Sequence, residues 1–396
     1  MLLICARGLS QLTRLPGPST QFLLGALAAH GVVALGFDTG LRYDSFHDLV
    51  FYLLLPILIF GATQALDFTS FRKALPAITS LAVVGVLLTA LLVAALVYYG
   101  INHPVGFPWP AALITGILLA ATDPTAITGQ TGLARSATQR RAVMLLEGES
   151  LLNDAASVVL FSLLLGIALR GIDLSTGLLE GLQTLSREVL IGLLIGVACG
   201  LFSRLVWRWN TSAAVSLWMS LCVSFAAYHA ALSLHASGVV ACMVCGFMIR
   251  YRPDVSEEVT SFWRFLAGSA NGFIFVLMGA TITLSMFTER WLAMLIAIAA
   301  VVMARFVSVL TTLRLTPTGQ FNLRESVLIS AMGMRGAVTL ALALMLPTEL
   351  PYWWTIQSIA YGVVLFDLFL MAPVAPILFR RLLPPPSESQ LLKKEI

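Results

Sequence analysis

Apolar residues run along this chain in long blocks separated by short polar stretches. Twelve blocks approach or exceed the roughly 20 residues that a helix needs to cross a bilayer. They lie near 20–36, 46–66, 74–99, 109–134, 142–169, 188–206, 212–232, 235–249, 265–287, 291–313, 325–347 and 355–379. Only helices and closed barrels satisfy their backbone polar groups in lipid. Barrel strands would read as segments of about ten alternating residues, and these blocks are longer and continuously apolar. The pattern therefore predicts an all-α polytopic membrane protein with twelve full spans.

Composition agrees with the pattern: 58% of the 396 residues are hydrophobic and 11% are charged, where a soluble domain carries about 25% charged residues. The net charge of +4 is scattered, so no nucleic-acid partner is expected; the partner is the lipid bilayer. Lys and Arg orient the spans, because cytoplasmic loops carry them in excess. Eighteen of the 24 fall on one side, Arg42, Arg170, Arg187 and Arg290 fall on the other, and Arg305 and Arg335 lie within spans. That split places both ends of the chain in the cytoplasm, with a transmembrane domain over 1–383 and a short disordered tail over 384–396. The five cysteines sit in or beside apolar stretches, and no His joins Cys242 and Cys245 as a metal site would require. No nucleophile elbow, zinc-protease motif or phosphate-binding loop occurs, which argues against an enzyme.

A charge at the centre of a span costs at least about 2.5–3.5 kcal/mol and marks a functional site by default. The intramembrane charges are Asp123, Glu147, Glu149, Asp154, Arg305, Arg335 and Asp367. Asp123 precedes Pro124, which removes a hydrogen bond and disfavours helix in the residue before it. The helix is expected to break at Thr122-Asp123-Pro124 near mid-membrane, where broken helices hold ions in transporters. In the next span Glu149 and Asn153 share one face and Ser150 and Asp154 the adjacent one. Asp154 lies 13 residues past Arg141, about 20 Å along a helix. A carboxylate with a Ser hydroxyl one turn away offers the oxygen ligands that hard cations prefer. A buried carboxylate is costly to leave charged and alone, so a proton and a cation compete for it. The alternative reading of Asp154 is one half of a buried ion pair. Arg335 needs a carboxylate partner, and Glu149, facing away from Asp154, is the expected one. Arg305 has a similar structural role, Glu147 lines an entrance, and Asp367 receives no role.

Thr122-Asp123-Pro124-Thr125-Ala126-Ile127, Leu146-Glu147-Gly148-Glu149-Ser150-Leu151-Leu152-Asn153-Asp154-Ala155 and Gly333-Met334-Arg335-Gly336-Ala337-Val338 resemble the CPA1 class of monovalent cation:proton antiporters, the NhaP-like exchangers related to animal sodium/proton exchangers. The resemblance covers about residues 15 to 380. It implies an inverted-repeat fold of thirteen helices with broken crossing helices, a homodimer in the cell membrane, alternating access of an elevator kind, and no cofactor. By that resemblance Asp154 carries cation or proton, and Asn153 makes the Asn-Asp pair of electroneutral exchangers. Ser150, Asp123 and the Thr122 backbone are companion ligands of Na⁺, and Glu149 with Arg335 is the structural pair. A K⁺ or broad-specificity exchanger, or a transport-impaired sensor, is the alternative. Two departures stand out. Gly61 follows Pro56-Ile57-Leu58-Ile59-Phe60 where an acid is usual, leaving Thr63 or Gln64 as substitutes. Met1 to Ala6 reads as the last turns of a truncated first helix.

Overall fold

A computed structural model describes residues 2–13, 15–36, 47–101, 107–124, 136–170, 174–207, 212–250, 257–316 and 321–383. Every regular element among them is helical. In chain order they are α1 (Leu2–Thr13), α2 (Gly17–Ala34), α3 (Leu55–Ala65), α4 (Phe68–Ser80), α5 (Val86–Gly100), α6 (Trp109–Ala120), α7 (Ala137–Arg170), α8 (Leu174–Trp207), α9 (Ala213–Ser233), α10 (Gly238–Arg250), α11 (Glu257–Thr281), α12 (Leu284–Leu315), α13 (Leu323–Met332), α14 (Ala337–Leu344), α15 (Trp353–Phe366) and α16 (Ala372–Leu382). Wider π-helical turns at Leu49–Leu54, Leu81–Gly85 and Asp367–Met371 join α3, α4 to α5, and α15 to α16 into continuous rods.

Each of the twelve apolar blocks is helical over most of its described residues, and eight helical rods among the described residues are long and apolar enough to cross a bilayer. The edges differ from the sequence pattern where polar residues extend a helix beyond its apolar part. α7 starts at Ala137 and α8 at Leu174, ahead of the expected 142 and 188. The block at 265–287 divides at Ile282 and Thr283, so its last four residues belong to α12. The block at 235–249 starts late because His235 holds a left-handed backbone, φ 52. Residues 125–134 of the fourth block, and the expected tail 384–396, lie outside the described residues. Residues 2–13 form one helix, α1, longer than the few turns expected over Met1 to Ala6, and Thr20 Oγ1 of α2 donates to its Ala6 O at 3.1 Å.

Lipid offers no hydrophobic drive between helices, so close packing must come from small residues. Along α8, Gly192, Gly196 and Gly200 repeat every fourth residue, and a methyl group on them would strike Ser237, just ahead of α10, or Val244 or Met248 within it. α2 and α11 also approach closely: a Cβ at Gly25 would overlap the Val276 backbone, and one at Gly279 the Phe22 carbonyl. Tyr98 stacks on Trp109 at 4.2 Å where α5 ends and α6 begins, an aromatic pairing typical of the membrane interface.

Candidate functional site: a crossing of unwound backbone

Three segments meet inside the bundle. α6 ends at Ala120, and Ala121 is extended with φ −59 and ψ 135, three residues before the proline that prevents the helix from continuing. Between α13 and α14 the chain unwinds over Gly333–Gly336, with φ −77, ψ 64 at the first glycine and φ −137, ψ −145 at the second. Gly336 leaves no room for a side chain, since a Cβ there would overlap the Asp123 carboxylate. The third segment is the middle of α7.

A helix end leaves its last carbonyls unpaired, and buried ones must find donors. Here four successive carbonyls each receive a side chain. Arg335 Nε donates to Leu119 O at 2.8 Å, Asn153 Nδ2 to Ala120 O at 2.8 Å, Thr339 Oγ1 to Ala121 O at 3.3 Å and Ser150 Oγ to Thr122 O at 2.5 Å. The next residue is held through its backbone, Asp123 N–H donating to Met334 O at 2.6 Å. The half-helix α6 is thus terminated by two other elements rather than by water. The Arg335 guanidinium also places positive charge at its C-terminal end, where the helix dipole favours a cation.

Asn153 is buried and fully engaged: Nδ2 also lies 3.2 Å from Thr122 Oγ1 and 3.2 Å from Glu149 Oε1, and Oδ1 accepts from Ser157 Oγ at 3.1 Å. Glu149 is 1% exposed and carries its charge in a two-pronged pair with Arg305, Nη1 to Oε1 at 2.9 Å and Nη2 to Oε2 at 2.7 Å. This corrects the expected pairing of Glu149 with Arg335. Both arginines are buried, but α12 brings Arg305 alongside Glu149, whereas Arg335 turns to the carbonyls of Leu119 and Gly333, the latter at 2.6 Å. Its backbone N–H donates to Asp367 Oδ2 at 2.7 Å. Sequence reasoning gave Asp367 no role. Its signal was the bare fact of a carboxylate in an apolar span.

Asp154 lies one turn beyond Ser150 on the face of α7 adjacent to Glu149 and Asn153, and is half-buried. Its Oδ1 is buried and meets no hydrogen-bond donor among the described residues. Buried polar atoms without partners are rare, and this one sits one turn from a hydroxyl that already touches the broken helix. Glu147 is half-buried on α7, nearer its start. Thr63 and Gln64 are buried on α3, yet their hydrogen bonds go to Phe60 O at 2.6 Å and Gly246 O at 3.0 Å, on α3 and α10 rather than α7. Gly61 faces α11, where a Cβ would strike Ala267. An acidic side chain at 61 has no space in this packing, so glycine there is a consequence of the α3–α11 contact.

Comparison with known proteins follows the same lines. The family model described as sodium/hydrogen exchanger, transmembrane, matches residues 1–381. The low-affinity Na(+)/H(+) antiporter NhaS1 of Synechocystis is 33% identical over 81% of this chain and 62% of its own length. The Na(+)/H(+) antiporter ApNhaP of Aphanothece halophytica is 30% identical, again over 81% of this chain and 62% of its own. The chain therefore spans less than two thirds of these curated relatives. Among solved structures, the sodium proton antiporter MjNhaP1 of Methanocaldococcus jannaschii at pH 8 superposes with a TM-score of 0.72 at 20% identity, covering 97% of this chain and 100% of that one. This likeness shows the fold.

Proposed function

This chain belongs to the transmembrane sodium/hydrogen exchanger family, and from that we propose that it exchanges a monovalent cation, Na⁺ first among them, for protons across the cell membrane. The observation that carries the reading is the Asp154 carboxylate, whose buried Oδ1 has no donor among the described residues, beside a broken helix whose carbonyls at 119 to 122 are each capped by a side chain. Such an oxygen is neutralised either by a proton on the carboxyl group or by a cation bound to it, and the two exclude each other. Ser150 Oγ and Thr122 O, 2.5 Å apart, and the Asp123 carboxylate complete an all-oxygen donor set of the kind that suits a hard cation. Glu149 and Arg305 neutralise each other and take no part in transport; Arg335 fixes the broken helix end. Glu147 stands toward the cytoplasmic entrance. The reading includes cytoplasmic termini, as the Lys and Arg distribution requires, a single transmembrane domain over 1–383, alternating access, no cofactor, and assembly as a homodimer as the family resemblance implies.

The test is a cation pulse applied to proteoliposomes loaded with a pH dye. Na⁺ is expected to drive proton movement that Asp154→Asn abolishes while the variant still inserts and purifies as folded protein. Wild-type flux in that variant would sink the assignment. Li⁺ and K⁺ pulses separate a sodium exchanger from the K⁺ or broad-specificity alternative. No response to any cation would favour the transport-impaired sensor. An imposed membrane potential that leaves the rate unchanged is expected of an Asn-Asp exchanger.

A further inference from the structure

The carboxylate at position 367 is unaccounted for by the exchange chemistry. It is 5% exposed and opens the π-helical turn Asp367–Met371 that joins α15 to α16. Wider turns of this kind occur often at functional sites. This one leaves Leu368 O free to accept from Ser19 Oγ of α2 at 3.0 Å, so the turn is anchored from the opposite side as well.

One peptide unit connects this carboxylate to the site. The Met334–Arg335 peptide lies in the unwound stretch between α13 and α14. Its carbonyl, Met334 O, accepts Asp123 N–H at 2.6 Å. Its N–H, on Arg335, donates to Asp367 Oδ2 at 2.7 Å. The two ends of a peptide are coplanar, so rotating the N–H away from Asp367 also rotates the carbonyl away from Asp123. No helix ladder holds this peptide, because it lies in the break. A charged acceptor makes a stronger bond than a neutral one, and the N-terminal end of α14, two residues further on, favours negative charge nearby. The Arg335 side chain is tied separately to Leu119 O and Gly333 O.

We propose that Asp367 is a positioning residue for the cation site: by gripping the Met334–Arg335 peptide it sets where Asp123 and the Thr122 carbonyl stand relative to Asp154. The inference rests on the exchange reading. Its effect falls on cation affinity, because the groups it positions are ligands and not the proton-carrying carboxylate.

The test compares wild type, Asp367→Leu and Asp367→Asn in the vesicle assay over a range of Na⁺ concentrations. Asp367→Leu is expected to raise the half-saturating Na⁺ concentration about tenfold with little change in maximal rate, as loss of a buried bond to a charged group predicts. Asp367→Asn keeps an oxygen that can accept the same N–H and is expected to restore most of the affinity. Should Asp367→Leu fail to insert, Asp367→Ser, too short to reach the peptide, carries the same expectation. Half-saturation at the wild-type value in these variants, or a fall in maximal rate alone, would overturn the inference while leaving exchange intact. Silence of the wild type in the same vesicles would overturn the exchange reading, and this inference with it.

Discussion

The seam between α2 and α11 and the crossing around Thr122 are both closely packed, and they achieve it by opposite means. At the seam, Gly25 and Gly279 let two regular helices touch backbone to backbone. At the crossing the helices are interrupted, and carbonyls released by the interruption are taken up by Arg335, Asn153, Thr339 and Ser150. The seam offers nothing for an ion to hold. The crossing is built of polar groups that cap one another, and among the described residues a carboxylate oxygen of Asp154, Arg305 Nε and Arg335 Nη2 stay without a partner there. A membrane protein can thus place rigidity and reactivity in adjacent regions by choosing where its helices continue and where they stop.

That contrast can be broken from either side. The largest effect is expected from Glu149→Ala or Arg305→Ala, each of which leaves a buried charge alone at a cost of about 3–5 kcal/mol. Folded yield should collapse in both single variants. The double variant should recover part of it, as a thermal-denaturation cycle in detergent would show; additive losses would mean the pair is not coupled. Next, Gly279→Ala forces a methyl group onto the Phe22 carbonyl and should cost about 1–3 kcal/mol, the usual penalty of overpacking. Its signature is a lowered Tm with unchanged half-saturating Na⁺, and a shift in Na⁺ affinity would show that the seam is not mechanically separate from the site. The smallest effect belongs to Thr339→Val, which removes the long 3.3 Å bond to Ala121 O. A loss of about 0.5–1.5 kcal/mol is expected, again read as Tm, with exchange retained.

The helical class and the place of the break were legible in the sequence because each has a local cause. Long apolar blocks demand helices in lipid, and Asp123 followed by Pro124 stops one in mid-membrane. The neighbourhood of Glu149 and Asn153 was legible too, since positions four apart share a helix face. The partner of Glu149 was not. Arg305 and Arg335 are both buried cations in separate spans, and the choice between them depends on how α12 is rotated against α7, which no periodicity encodes. Asp367 was visible as an anomaly but silent as to role, because its contact is with a backbone N–H, and a backbone N–H leaves no mark in a sequence. Gly61 reads in the sequence as a missing acid, and the packing, in which a Cβ there would strike Ala267 of α11, left no mark in the sequence.

The donors to carbonyls 119 through 122 come alternately from the two flanking elements: Arg335 from one, Asn153 from the other, then Thr339, then Ser150. Leu119 and Ala120 are the last residues of α6, and Ala121 begins the extended stretch beyond it, so the two flanking elements together grip the turn from helix to extended chain. On the exchange reading proposed above, a cation at this end leaves by stepping off the ligands or by travelling with all three elements as one body.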